Sequence, residues 1–187
     1  MKNYVYQTEP YKHQEKALRR SAHRKEFALF LEMGLGKSKV LLDNAAILYE
    51  AGKIDALLVV TPKGNLRNWD KLEIPRHLPS RIPTSVLVWQ PNHTQTWKRT
   101  YCEMVLEEHP EKLEILTMNV EAFSTEKGLK FAKAFILAHE TMLAVDESTL
   151  IKNPKAKRTK NLLALSRDAV YKRILTGFPV TKTPLDL

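Results

Sequence analysis

Cysteine is nearly missing from this chain of 187 residues. Cys102 stands alone, which excludes an internal disulfide and a cysteine-rich zinc site. The six histidines are scattered, without metal-ligand spacing. No apolar stretch approaches the ~20 residues needed to cross a bilayer, and the opening MKNYVYQTEPYKHQ lacks the apolar core of a secretory signal. Fixed-period repeats, low-complexity tracts and Gly/Ser linkers are missing too. These absences predict a reducing, intracellular setting with no membrane partner and no structural metal.

What is present suits one soluble globular domain, with 43% apolar and 27% charged residues. The formal net charge of +9 favours polyanionic partners through Coulomb attraction and counterion release. Solubility alone would also account for such a balance, so clustering matters more. The stretch IKNPKAKRTK (151–160) holds five basic residues and no acid. No aromatic residue is interleaved with it, which disfavours stacking on single-stranded bases. Contact to the phosphates of a polyanion is the reading preferred for the cluster; a solvated helix entry is the competing one.

Short apolar runs alternate with helical patterns. Strands are predicted at 27–31, 56–61, 85–89, 113–117, 142–145 and 173–176, and helices at about 12–23, 37–51, 65–73, 95–108, 127–139 and 157–167. In the second helix Leu41, Ala45 and Leu48 form one row and Leu42, Ala46 and Tyr49 an adjacent one, and Gly52 supplies the stop. Alternating strand and helix predicts an α/β fold with a mostly parallel sheet covered on both faces. In such sheets the loops at the carboxyl ends of the strands gather the ligand-binding groups. EMGLGKS, TPKGN, TMNVE, DES and TGFP all follow predicted strands, so all five are expected on one edge.

Residues Gly34-Leu35-Gly36-Lys37-Ser38 open the second helix. Glycines there let main-chain N–H groups approach phosphate oxygens, and the helix adds the positive end of its dipole. Lys37 would reach the β- and γ-phosphates of ATP and Ser38 would ligate Mg²⁺. The competing reading is an ordinary strand-to-helix turn. Asp146 and Glu147 end an apolar strand: Asp146 would hold Mg²⁺ and Glu147 would orient or deprotonate the attacking water. An isolated acidic pair more often caps the next segment, but a glycine loop upstream tips the reading toward an ATPase. Gln14 could read the adenine edge with both halves of its amide, although most glutamines at helix starts are merely solvated. Thr176, in the Thr176-Gly177 turn, could bond the acidic pair.

Taken in order, these residues resemble a family. Y-x-H-Q (11–14), EMGLGKS, LLVVTPKGNLRNW, VDES followed by IKNPKAKRTK, and LTGFPVTKTPLDL are similar to motifs Q, I, Ia, II and III of superfamily-two helicases. The match is best with the SWI/SNF-like branch of double-stranded-DNA translocases, in its bacterial and phage style. The resemblance implies a RecA-like first lobe, a P-loop NTPase domain that binds ATP and Mg²⁺ and touches the backbone of DNA. It places Thr61, Pro62 and Lys63 of motif Ia, Asn119 of motif Ib, and the basic segment with Lys152 and Lys155 near the DNA path, where they would touch the DNA backbone, and gives Thr176-Gly177 a coupling role. It also implies that Leu31, where the strict phosphate-loop pattern has glycine, ends the strand.

Three other positions depart from the family pattern. Thr149 stands where the acidic box often has His, Phe178 where a small Thr is usual, and Lys182 where Asn is frequent. The expectation is one helicase lobe over 1–187, cytoplasmic in a bacterium or in a phage's host, lacking the second lobe that brings arginine fingers in cis or in trans. Such a chain would bind nucleotide and DNA with negligible turnover. A non-catalytic DNA- or protein-binding module derived from such a lobe is the alternative. A small-molecule P-loop kinase would leave LTGFPVTKTPLDL without a role.

Overall fold

The computed structural model describes residues 4–106 and 111–177. The predicted motif residues 178–187, Phe178 and Lys182 among them, and the last two positions of the predicted 95–108 helix lie outside the described residues. Six strands, β1 (Glu26–Phe30), β2 (Ala56–Thr61), β3 (Thr84–Val88), β4 (Leu113–Asn119), β5 (Thr141–Asp146) and β6 (Tyr171–Thr176), form one sheet. Their order is β1-β6-β5-β2-β4-β3 and every neighbouring pair is parallel. The near-continuous apolar runs of β2, β4 and β5 are buried at every residue, whereas the edge strands β1 and β3 expose part of theirs. That is the pattern expected of a parallel sheet covered on both faces.

Helices α1 (Lys12–Ser21) and α2 (Lys37–Glu50), with the helical stretch 63–77, cover one face; α3 (Gln95–Leu106), α4 (Glu126–Ala138) and α5 (Lys157–Leu165) cover the other. The strongest departure from the periodicity reading is α2. Every residue from Val40 to Leu48 is buried, not one face alone, because α1, the 63–77 stretch and residues 4–8 close over its outer side. Burying each of Leu41, Leu42 and Leu48 contributes about 1.5–3 kcal/mol. Gly52, at φ +61°, ends the helix, with Gly52 N donating to Tyr49 O and Lys53 N to Leu48 O, the paired bonds of a Schellman motif.

The predicted 65–73 helix is longer and irregular. A 3₁₀ turn at Lys63–Asn65 leads through a short α turn into a π turn at Trp69–Glu73 and then Ile74–His77. Pro75 supplies the cause: it has no N–H for the Lys71 carbonyl and its ring would clash there, so the turn before it widens.

At the amino edge of the sheet the side chains of Arg173 and His139 are held by hydrogen bonds. Arg173, 1% exposed, donates Nε to Asn44 Oδ1, Nη1 to Lys25 O and Lys172 O, and Nη2 to Ser21 O and Arg24 O. No carboxylate partners it in these contacts, and burial pulls its pKa down to about 10. His139, the C-cap of α4, sets Nε2 2.7 Å from Met104 O and Nδ1 3.4 Å from Asp55 Oδ2. Burial opposes its charge, but Asp55, the Met104 carbonyl and Glu114 together raise its pKa. Both ring nitrogens face acceptors, which suits the imidazolium.

Among the described residues no helix is long and apolar enough to cross a membrane.

Candidate functional site

Strand β1 stops at Phe30, one residue short of the expected end, and Leu31 already belongs to the loop. Its carbonyl has a partner: Lys37 Nζ donates to Leu31 O (3.0 Å) and Glu32 O (3.3 Å). Gly34 and Gly36 both take φ +79°, a left-handed conformation that a side chain disfavours. Gly36 has a second reason to be glycine, since a Cβ there would collide with Gln14 Nε2. Gly36 is also the N-cap of α2, so the first amide groups of a fourteen-residue helix open onto the loop.

Gln14 is 5% exposed and already engaged at both ends. Its Nε2 donates to Leu35 O and its Oε1 accepts from Tyr11 N, while His13 Nε2 lies 3.1 Å from the same Leu35 oxygen. Gln14 lines the cleft beside the loop; these bonds fasten α1 to the loop and leave the amide one N–H and one lone pair. Local sequence could not show this, because Gln14 and Leu35 come together only through the packing of α1 against α2.

The acidic pair ends β5. Asp146, 8% exposed, accepts from Thr61 Oγ1 and Trp69 Nε1 at Oδ2, both at 3.0 Å, and from Glu147 N at Oδ1, also at 3.0 Å. Glu147 is the one non-glycine residue at positive φ among those described (φ 49°). Holding such a residue there costs on the order of 1–2 kcal/mol, and strain of this kind concentrates at functional sites. On the next strand, Thr176 is buried at the end of β6, between Phe30 of β1 and the Asp146 end of β5. A Cβ on Gly177 would sit 3.3 Å from Met33 N. The Thr-Gly turn thus packs directly against the phosphate-loop backbone.

One cleft of ≈ 710 Å³ brings the loop and the acids together. Gly34, Gly36, Lys37 and Ser38 line it with Asp146 and Glu147. The opposite wall was not foreseen from the sequence. Thr8, Glu9 and Tyr11 line it, together with Trp69, Arg76 and His77. The segment before α1 is strapped over α2: Tyr4 OH donates to Asp43 Oδ1, and Lys39 Nζ donates to Thr8 O and Asp43 Oδ2. Burial raises the Asp43 pKa against the pull of Lys39 and Tyr4. Burial likewise lowers that of His77, whose Nδ1 lies 3.0 Å from Thr8 Oγ1. The alternation of Tyr4, Tyr6 and Thr8 was the one local signal of this strap.

The residues expected along a DNA path separate into two groups. Lys63 and Lys155 are exposed and Lys152 half-buried, in the segments that follow β2 and β5 at the carboxyl edge. Thr61 and Asn119 correct the expectation. Thr61 is fully buried with its hydroxyl on Asp146, and Asn119, 9% exposed, donates to Glu121 Oε2 at 2.7 Å. Thr61 faces Asp146 because β2 lies beside β5, whereas Asn119 turns to Glu121, two residues further along the chain. The β2–β5 pairing joins distant stretches of chain and is invisible to local pattern.

The family model for the SNF2-related domain matches residues 13–187. ATP-dependent helicase fft2 of Schizosaccharomyces pombe is 31% identical over 151 residues, 80% of this chain and 11% of that protein. Chromatin remodeling factor mit1 of the same yeast is 24% identical over 83% of this chain and 10% of its own length. The chain thus spans about a tenth of these two relatives. Among solved structures, the Sulfolobus solfataricus SWI2/SNF2 ATPase core in complex with dsDNA superposes with a TM-score of 0.70 at 18% identity, covering 100% of this chain and 35% of that one. The UvsW helicase from bacteriophage T4 follows at 0.64 and 14% identity, covering 91% of this chain and 53% of its own. At these identities the superpositions establish the RecA-like α/β fold.

Proposed function

The chain belongs to the SNF2-related domain family, and from that membership we propose that it is the ATP-binding N-terminal lobe of an ATP-dependent DNA translocase. The observation that carries this reading is the meeting of Gly34, Gly36, Lys37 and Ser38 with Asp146 and Glu147 in one cleft. ATP fits that donor set. Amides at the start of α2 and the Lys37 ammonium face the phosphates, while the Ser38 hydroxyl and the Asp146 carboxylate suit Mg²⁺. The metal supplies charge neutralisation on the phosphates when bound.

In the chemistry of this chain's own residues, Lys37 must leave Leu31 O and Glu32 O to engage phosphate oxygens. Glu147 holds a carboxylate toward the attacking water. DNA is gripped by its phosphates along the carboxyl edge, by Lys63, Lys152 and Lys155, with Thr61 and Asn119 as supports behind that surface. Such contacts confer affinity without sequence information. Residues 1–187 form one lobe of the motor, and a second lobe, in cis or in trans, completes the site with arginine. The lobe alone releases phosphate at a negligible rate.

Mg·ATP at a hundredfold its Kd should stabilise the chain by ~2.7 kcal/mol, which raises Tm by about 2–4 °C per kcal/mol. Lys37→Ala should remove most of that shift. Equal shifts in the two proteins would refute the reading, and phosphate release at a helicase-like rate by the chain alone would refute the need for a second lobe.

A further inference from the structure

Asp146 is held by a segment that also reaches the surface. Thr61 ends β2 and Trp69 opens the π turn, and both donate to the same oxygen, Oδ2. A carboxylate oxygen has two lone pairs, so Oδ2 is saturated by these two donors. Among the described residues Oδ1 takes one hydrogen bond, from Glu147 N, and keeps a lone pair. The two donors therefore decide which oxygen of Asp146 serves a ligand in the cleft.

Between Thr61 and Trp69 lie only seven residues, and Lys63, Gly64 and Arg67 among them are exposed. Asn65 N folds back on Pro62 O, so this connection is a tight turn. Trp69 is 1% exposed, and its indole N–H has one geometry relative to a flat, rigid ring. The π turn that presents it is an irregularity of the sort found at functional sites. Beside it, Asn68 Nδ2 donates to Glu73 Oε1 across the turn, and Asn65, Asn68 and Glu73 all line the cleft. One short segment thus has cations on the outside and the Asp146 carboxylate on the inside.

We propose that Trp69 is a positioning residue, through which a duplex DNA backbone held by the 62–68 turn sets the orientation of Asp146 and hence the affinity for Mg·nucleotide. The proposal rests on the nucleotide reading given above and adds the route by which the two ligands sense each other. Because coupling between sites is reciprocal, it runs both ways: Mg·nucleotide tightens or loosens the grip on DNA by the same factor.

The test uses the full chain and a fluorescently labelled ATP, titrated with and without Mg²⁺ and with and without a short duplex, in the wild type and in Trp69→Phe. Phenylalanine keeps an aromatic ring in the core and removes the donor. In the wild type, duplex should shift the Kd for Mg·nucleotide by about fivefold or more, whereas in Trp69→Phe the Kd for Mg·nucleotide should be the same with and without duplex, whatever its absolute value. A duplex effect that persists in Trp69→Phe, or is missing from the wild type, overturns the proposal alone. Failure of the wild type to bind labelled nucleotide overturns the functional reading itself.

Should Trp69→Phe not fold, the indole N–H resonance that remains in Trp89→Phe/Trp97→Phe reports Trp69 directly. It should move when duplex is added, and a resonance that stays in place overturns the relay.

Discussion

Charged side chains are withdrawn from solvent at both edges of the sheet, and they are satisfied in opposite ways. At the amino edge Arg173 spends its donors on four main-chain carbonyls and Asn44 Oδ1, and His139 has an acceptor at each ring nitrogen. At the carboxyl edge Lys37 holds two loop carbonyls beside the cleft, Asp146 accepts one hydrogen bond at Oδ1, and Glu147 sits in a strained conformation. A saturated buried charge fixes chain segments in place. A charge with spare capacity beside an open cleft is arranged for a ligand.

The sharpest way to break this comparison is Arg173→Met. It would remove all five hydrogen bonds that Arg173 donates, and by analogy with other broken buried networks should cost ~3–5 kcal/mol. Urea denaturation measures it, and a loss under 1 kcal/mol would remove the distinction between the edges. Lys37→Ala should behave conversely. Its loss of two hydrogen bonds to carbonyls should cost only about 1–3 kcal/mol, less than Arg173→Met in the same urea series, while the response to Mg·ATP disappears.

His139 gives a pH signature. Its folded pKa is raised, so the stability it contributes is complete below the ordinary histidine value of about 6.5. That contribution fades as pH rises through the raised folded value. Urea midpoints measured from acid to alkaline pH should show this fall, and His139→Gln should flatten it. A fall of equal size in the variant would place its origin elsewhere.

The smallest expected effect is at Glu147. Glycine relieves the positive φ, so Glu147→Gly should stabilise by up to ~1 kcal/mol, or about 2–4 °C in Tm. It also removes the carboxylate proposed to orient the attacking water. A destabilised Glu147→Gly would mean that the side chain supports the fold.

Much of this was legible in the chain itself, for physical reasons. The apolar runs of β2, β4 and β5 and the glycine loop before α2 are local signals, and the parallel sheet carries their polar ends to one edge. What escaped was set by partners distant in sequence. Thr61 reads as a polar strand end, and only the β5-β2 pairing shows that it faces Asp146. Trp69 reads as a core aromatic until its N–H is traced to Asp146, and Gln14 as a solvated helix start until α1 packs on the loop. In α2, the covering by residues 4–8 hides the outer side that periodicity assigned to solvent. Arg173 sits in a strand with no nearby acid to announce its burial.

The strand order also dictates a sequence of events in time. Among the described strands β1 has one neighbour, β6, and their register joins Glu26 to Lys172 and Phe30 to Thr176. During synthesis β1 is made before the loop that follows it, yet its partner among the described strands comes only after nearly 150 further residues have followed. Strands β2 to β5 can assemble around their own partners in the meantime. The 31–38 loop is therefore made well before its support is complete, and it waits for Thr176 and Gly177 to arrive beside it.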